Sequence, residues 1–103
     1  MSRLVIRAEA EADLAAIFSV IAERNEGGAR AFSNKLRARC VILEAHPLAG
    51  RPRPDLGEGL RGLFERPYVL VYRLVGDIAE VIAVFHSAMD LPAAIARRLA
   101  SEK

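Results

Sequence analysis

Residues Leu60–Asp90 read LRGLFERPYVLVYRLVGDIAEVIAVFHSAMD, and this stretch carries the clearest secondary-structure signals of the chain. Runs of apolar, β-branched and aromatic residues favour β-strands, and the Pro and Gly residues between them favour turns. The stretch holds three such runs, Leu60–Phe64, Tyr68–Val75 and Ile78–Phe85. Gly76 and Asp77 alone separate the two longer runs, which is the spacing of a tight hairpin. We therefore predict a three-stranded antiparallel meander whose middle strand is too apolar to leave one face in water.

The first half of the chain has a different, helical period. Leu4–Ile6 is a short apolar run and predicts a strand. From Ala8, apolar residues recur at helical spacing, which predicts an amphipathic helix that ends at Gly27-Gly28. A second helix is predicted from Ala29 to Ala45. The expected buried residues of the two helices are Leu14, Ile17, Phe18 and Ile21, and then Phe32, Leu36, Cys40 and Leu43.

The remaining segments connect and close this arrangement. His46–Gly59 is rich in Pro and Gly and predicts a loop, while Leu91-Pro92 begins a last helix because Pro is favoured in a first turn. The predicted fold is α+β, in the order β-α-α-β-β-β. A helical hairpin packs on a small, mainly antiparallel sheet, and a short C-terminal helix follows. One domain spans residues 1–103, and the second face of the sheet needs a cover.

Composition limits the possible classes of function. The net charge is only +2, which gives no electrostatic argument for direct nucleic-acid binding. No run of apolar residues is long enough for a membrane span, and the N-terminus lacks the apolar core of a signal peptide. The single cysteine, Cys40, excludes an internal disulfide and fits a reducing compartment. We therefore expect a cytoplasmic protein.

Catalytic and metal-binding patterns are weak in this sequence. His86, Ser87 and Asp90 have the residue types of a hydrolytic triad, but groups so close along one strand end rarely align as nucleophile, base and orienting acid. Cys40 lies on the predicted apolar stripe, which favours a buried structural thiol. Two histidines and one cysteine at this spacing predict no metal site. We expect no catalytic residue and no cofactor.

Arginines are the more informative polar residues. Arg is suited to planar, bidentate contacts with carboxylate or phosphate groups, so exposed arginines on a sheet favour partner binding. An ordinary solvated or salt-bridged strand face is the alternative interpretation. The arginines of the second half of the chain to which these two interpretations apply are Arg51, Arg53, Arg61, Arg66 and Arg73.

The order of these segments resembles the RelE/ParE family of bacterial toxins, which belong to two-gene toxin–antitoxin systems. The resemblance rests on the opening strand, the run AEADLAAIFSVIAE, the run HPLAGRPRPDLGEGLRGL, the run YVLVYRLVGDIAEVIAVFHSAMD and the final helix, in that order. It covers nearly the whole chain.

The resemblance implies one of two activities. The RelE-like branch cleaves messenger RNA on the ribosome and needs basic or proton-transferring side chains, which bind the scissile phosphate and stabilise developing charge. The corresponding positions here carry side chains that can do neither, namely Leu60, Gly62, Val69, Met89 and Ile95. The ParE-like branch lacks that constellation and poisons DNA gyrase without being an enzyme. The chain is similar to this branch, although Met89 stands where family members often have arginine.

The ParE-like resemblance also implies a partner. The antitoxin is expected to be a ParD-like ribbon-helix-helix DNA-binding dimer whose tail folds along the toxin in a hetero-oligomer, so the toxin itself need not grip nucleic acid. A RelE-like ribosome-dependent ribonuclease and an inactive antitoxin-binding relative remain the alternatives. The candidate residues for binding the target or the antitoxin, all expected to be exposed, are Arg61, Arg66, Arg73, His86, Asp90, Arg97 and Arg98.

Overall fold

A computed structural model describes residues 3–101, and within them the chain forms five strands and three helices. The elements in chain order are β1 (Leu4–Ile6), α1 (Ala8–Ala22), α2 (Glu26–Ala45), β2 (Arg51–Pro52), β3 (Leu60–Glu65), β4 (Tyr68–Val75), β5 (Ile78–His86) and α3 (Leu91–Ala100).

All five strands form one mixed sheet in the order β1-β5-β4-β3-β2. β3, β4 and β5 pair antiparallel as the predicted meander, and β1 joins β5 in parallel. The predicted α+β fold is therefore confirmed. The short strand β2 is an addition, because it lies inside the segment predicted to be a loop and pairs antiparallel with β3 through Arg51 and Gly62.

The boundary between the two helices differs from the prediction. Gly27 and Gly28 do not end α1; they lie in the first turn of α2, which begins at Glu26. The reason is the preceding Asn25, whose side-chain Oδ1 accepts a hydrogen bond of 2.9 Å from the Gly28 N–H. An Asn at this position satisfies a backbone donor that the helix cannot pair internally. The cap starts the second helix before the glycines.

The helical hairpin covers one face of the sheet. Leu14 and Ile17 of α1, with Leu36, Cys40 and Leu43 of α2, pack against the β4 side chains Leu70 and Tyr72. Burial of Cys40 raises the pKa of its thiol to about 11, so at neutral pH it packs as a small apolar group, as predicted. This core fixes the hairpin on the sheet.

An irregularity in β5 creates a second core on the other face. Val71 lies opposite Ala83 but Tyr72 lies opposite Val81, so Ile82 is an extra residue in β5, as in a β-bulge. Val81 and Val84 consequently face the helical hairpin, whereas Ile82 and Ala83 face the opposite side. There they pack with residues of the β2–β3 loop, β3, β4 and α3, including Leu56, Leu60, Val71, Leu91 and Ile95. The chain thus covers much of its second sheet face itself.

An ion pair between Asp13 and Arg98 connects α1, β5 and α3. The Arg98 Nη1 and Nη2 atoms each donate to Asp13 at 3.0 Å, and Nη1 also donates to the Ile82 carbonyl at 2.9 Å. Asp13 in turn accepts from the Val84 N–H at 2.9 Å. Both side chains are less than one-fifth exposed, at 15% for Asp13 and 17% for Arg98. The pair therefore supplies polar partners to backbone groups beside the bulge.

A second set of polar contacts, which we call the clamp, centres on the Tyr72 hydroxyl and holds the chain between α2 and β2. The buried Tyr72 hydroxyl donates to the Pro47 carbonyl at 2.7 Å and accepts from the Gly50 N–H at 2.9 Å. A Cβ atom at position 50 would lie 2.6 Å from the Tyr72 ring and 2.9 Å from the Gly62 carbonyl, so only glycine fits there. This clamp places β2 against β3.

Replacing Asp13 with Ala should lower the free energy of unfolding by about 3 kcal/mol, because it leaves Arg98 and the Val84 N–H largely buried without their acceptor. Urea denaturation followed by circular dichroism measures this loss. Glu11→Ala is the matched control, since Glu11 lies on the same helix and forms an exposed pair with Arg37. Its loss should cost less than about 1 kcal/mol. Equal losses in the two variants would contradict the assignment.

Replacing Tyr72 with Phe should cost about 1–3 kcal/mol of unfolding free energy, because the Gly50 N–H and the Pro47 carbonyl lose their buried partner. Hydrogen exchange of the Gly50 amide should accelerate at the same time. Tyr68→Phe serves as the control, because Tyr68 contacts Phe32 and His86 through its ring. Unchanged exchange at Gly50 in Tyr72→Phe would show that the clamp does not hold the loop.

Candidate functional site

A groove with a volume of about 530 Å³ lies on the second sheet face, beside the start of α3. It crosses the ends of β3, β4 and β5 nearest the β3–β4 turn. Its lining combines apolar side chains with two arginines and a serine, namely Arg51, Arg53, Gly62, Phe64, Val69, Ser87 and Leu91.

The centre of the groove is apolar and has little side-chain bulk. A Cβ atom at Gly62 would lie 3.2 Å from the Arg53 Cγ and 3.3 Å from a Val69 methyl group, so the absence of a side chain there lets Arg53 lie across β3. Phe64, two residues further along the same strand, is 48% exposed although it is a large hydrophobic residue. Exposed aromatic surface in a concave site is typical of a binding site.

The two arginines of the groove differ in exposure and in their contacts with acids of the same chain. Arg51 is exposed on the edge strand β2. Arg53 is half-buried, and its Nε and Nη2 atoms donate to the two carboxylate oxygens of Asp55, both at 2.9 Å. Hydrogen bonds from Arg53 lower the pKa of Asp55 below its ordinary value, and the same bonds raise the pKa of Arg53. The pair is therefore fully ionised at neutral pH.

Arg61, Arg66 and Arg73 were predicted to bind a partner, but none of them lines this groove. Arg66 lies beside it. Arg66 is exposed in the β3–β4 turn, with its guanidinium carbon 5.8 Å from the centroid of the Phe64 ring. Arg61 belongs to the opposite sheet face and donates to the Gly50 carbonyl at 2.7 Å. Arg73 lies near the other end of the second face, where its Nε donates to Glu80 at 2.8 Å. The expected exposure of Arg61 and Arg73 is wrong, because these internal acceptors hold them half-buried.

His86 and Asp90 are exposed, as predicted, at the turn between β5 and α3. The His86 Nδ1 accepts from the Ala88 N–H at 3.0 Å, and its ring contacts Tyr68 edge-on at 5.3 Å. Asp90 caps α3, with its Oδ1 accepting from the Ala93 N–H at 3.3 Å. Both side chains therefore shape the turn that leads into α3.

Arg97 and Arg98 line a smaller depression of about 320 Å³ between α1, β5 and α3. Arg97 is exposed there, as predicted. The expected exposure of Arg98 is wrong, because its guanidinium is bound to Asp13 and lies 4.8 Å from the Phe85 ring centroid. Arg98 therefore serves mainly to hold α3 against α1 and β5.

None of the residues that line the groove belongs to the predicted set of binding residues, which leaves out Arg51, Arg53 and Phe64. A signal for the arginines exists in the alternation Arg51-Pro52-Arg53-Pro54, because residues two apart lie on one side of extended chain. That signal has meaning only once β2 is known to pair with β3. Phe64 lies in the apolar run Leu60–Phe64, and a strand pattern alone does not indicate that its side chain is exposed.

The groove also contains positions that the family resemblance connects with ribonuclease chemistry. Gly62 and Val69 line it, and neither carries a group that donates a proton or a charge. Leu60 and Ile95 are buried in the second core, and Met89 lines the smaller depression. The cations nearest to the groove floor are consequently Arg51 and Arg53.

Residues 3–101 lack two features that would indicate other classes of function. None of their helices is long and apolar enough to cross a membrane. No group of three or more His, Cys, Asp or Glu residues among them could hold a metal ion.

Comparison with known proteins places this chain in a family. Toxin ParE3 of Caulobacter vibrioides is 29% identical over 101 residues, covering 95% of this chain and 99% of that protein. A solved structure described as the chromosomal ParDE TA system from P. aeruginosa has the same fold, with a TM-score of 0.73 and 24% identity over 84% of this chain and 96% of that one. Residues 4–91 match the family described as ParE toxin of type II toxin-antitoxin system, parDE. The chain therefore belongs to the ParE toxin family of type II toxin–antitoxin systems.

Proposed function

We propose that this toxin acts by binding and inhibiting DNA gyrase, and that a ParD-like antitoxin neutralises it by laying an acidic, apolar segment in the groove. Both partners would be met in the bacterial cytoplasm. The observation that carries the antitoxin site is the combination of exposed Phe64, an apolar lining that includes the largely buried Val69 and Leu91, and the adjacent cations Arg51 and Arg53.

The chemistry of the groove specifies the kind of segment that fits it. Phe64 provides an exposed apolar surface that gains free energy when a leucine or similar side chain covers it, above the buried Val69. Arg51 and Arg53 at one margin favour carboxylates by charge and by bidentate hydrogen bonding. A segment that alternates acidic and apolar residues matches both requirements, whereas a uniformly basic or uniformly polar segment does not.

The sheet edge next to the groove is poorly suited to pairing with a strand from a partner. We therefore expect a partner segment to lie across the face of the sheet instead. β2 is the outermost strand next to the groove and consists of only Arg51 and Pro52. Proline has no N–H to donate, so it blunts an edge that could otherwise pair with a partner strand. We therefore expect the antitoxin segment to be held mainly through side chains.

The absence of titratable groups at Gly62 and Val69 supports an inhibitor over the ribonuclease alternative. A ribosome-dependent ribonuclease stays the second candidate because Arg51 and Arg53 are cations at the groove and could contact a phosphate. Binding energy for gyrase has to come from exposed surface, and the exposed Arg66, His86 and Arg97 remain our candidates for that role or for antitoxin contacts.

Purified toxin should inhibit supercoiling of relaxed plasmid by bacterial gyrase and should increase the amount of gyrase-cleaved DNA. Preincubation with the antitoxin should restore supercoiling. Unaffected supercoiling at excess toxin would contradict the proposed target. Codon-specific cuts in messenger RNA on translating ribosomes would favour the ribonuclease, and normal growth of bacteria expressing the chain alone would favour an inactive antitoxin-binding relative.

Phe64→Ser should weaken binding of the antitoxin by about tenfold or more, because aromatic side chains in an apolar groove often dominate binding energy. Isothermal titration with the ribbon-helix-helix protein encoded beside the toxin gene measures the dissociation constant. Val75→Ser is the matched control, since Val75 is 53% exposed at the opposite end of β4. Similar affinity losses in both variants would argue against the groove as the antitoxin site.

A further inference from the structure

The pairing of Arg53 with Asp55 occupies one of the two edges of the guanidinium that can bind a carboxylate in a bidentate manner, the Nε–Nη2 edge. Nε and Nη2 each donate at 2.9 Å to a different Asp55 oxygen, which is the bidentate geometry of an arginine–carboxylate pair. The remaining atom, Nη1, lies over β3, 3.7 Å from the place of a Cβ on Gly62. A second carboxylate therefore meets only the Nη1–Nη2 edge, which lies beside β3, on a guanidinium whose charge Asp55 already balances.

The loop holds Asp55 in this position without burying it. The Arg53 N–H donates to the Leu60 carbonyl at 2.8 Å, and the Leu56 N–H donates to the Arg53 carbonyl at 3.0 Å, which closes a turn around Asp55. Leu56 is buried in the second core and anchors this turn. The Asp55 side chain itself is 52% exposed, so water and other ligands can reach the pair. Exposed pairs of this kind contribute little net stability and exchange readily.

We propose that Asp55 is an intramolecular competitor for Arg53, which an acidic segment displaces from the Nε–Nη2 edge when it binds in the groove. This inference rests on the proposed function, in which such a segment of the antitoxin occupies the groove. Asp55 then sets the minimum binding free energy that a segment has to supply. A lone carboxylate replaces one ion pair by another with little gain, whereas a segment that also covers Phe64 adds apolar burial and completes the exchange.

The proposal makes Asp55→Asn a variant that gains affinity. The amide cannot supply a charged bidentate partner, so Arg53 becomes available to an external carboxylate. Removal of any acid also makes the surface more positive, and Glu58→Gln controls for that effect. Glu58 is an exposed acid on the same loop, so this variant has the same change of charge.

The probe is an acetylated and amidated five-residue peptide, Glu-Leu-Glu-Leu-Glu, with its Gln-Leu-Gln-Leu-Gln counterpart as the neutral control. Titration into ¹⁵N-labelled toxin, followed through the side-chain ¹⁵Nε signal of Arg53 and the amide signals of Gly62 and Val69, reports the dissociation constant and the position. Asp55→Asn should bind the acidic peptide about fivefold more tightly than the unchanged toxin does, a ratio corresponding to the loss of one exposed ion pair. The neutral peptide should bind both proteins equally.

The double variant Arg53→Gln/Asp55→Asn should lose the gain in affinity, and Glu58→Gln should leave the dissociation constant within about twofold. Equal tightening by Glu58→Gln would overturn the proposal in favour of a general charge effect. Failure of the acidic peptide to perturb Arg53 in Asp55→Asn would also overturn it. Both results concern Arg53 and leave the gyrase and growth measurements untouched, so a failure here is distinguishable from a failure of the proposed function.

Discussion

Both hydrophobic cores depend on the extra residue in β5. Without the bulge at Ile82, the strict alternation of a β-strand would send successive side chains to opposite faces throughout β5. With it, Val81 and Val84 serve the core under the helical hairpin, while Ile82 and Ala83 serve the core under α3. The Asp13–Arg98 pair then bonds backbone groups of Ile82 and Val84 at the same place. One irregularity thereby joins both cores and holds α3 on the sheet.

The groove follows from the position of α3 and from the clamp on the opposite margin. Leu91 at the start of α3 forms one wall, and the Arg53 side chain lying across Gly62 belongs to the other. The second wall is placed by the hydrogen bonds of Tyr72 with Pro47 and Gly50, which hold the chain just before β2. Polar contacts outside the groove thus fix its width, while the surface offered to a partner stays mainly apolar.

Local patterns were sufficient for the meander and the helices, because each depends on residues close in sequence. Tyr68–Val75 and its neighbours carry β-branched and aromatic residues bounded by Pro and Gly, so their pairing was predictable. β2 was not, because it has two residues and depends on a hydrogen bond between residues 22 positions apart. The Asp13–Arg98 pair spans 85 positions, so no local pattern around either residue indicates it. The groove combines both long-range effects, so its residues could not be ranked from sequence.

The arginines show why a count of charges does not identify a binding surface. Arg3, Arg37, Arg39 and other arginines face acids of the same chain, and Arg98 is committed to Asp13. Among residues 3–101, such pairs draw on Asp and Glu side chains from α1, β3, β5 and the loops, and over the whole sequence 13 acids against 15 Lys and Arg residues leave a net charge of only +2. Availability, and not number, decides which cation meets a partner. Arg51 is open to solvent, whereas Arg53 is held by an exposed acid that can be exchanged. A surface of this kind favours a partner that brings both carboxylates and apolar side chains, since neither alone displaces what the toxin already provides for itself.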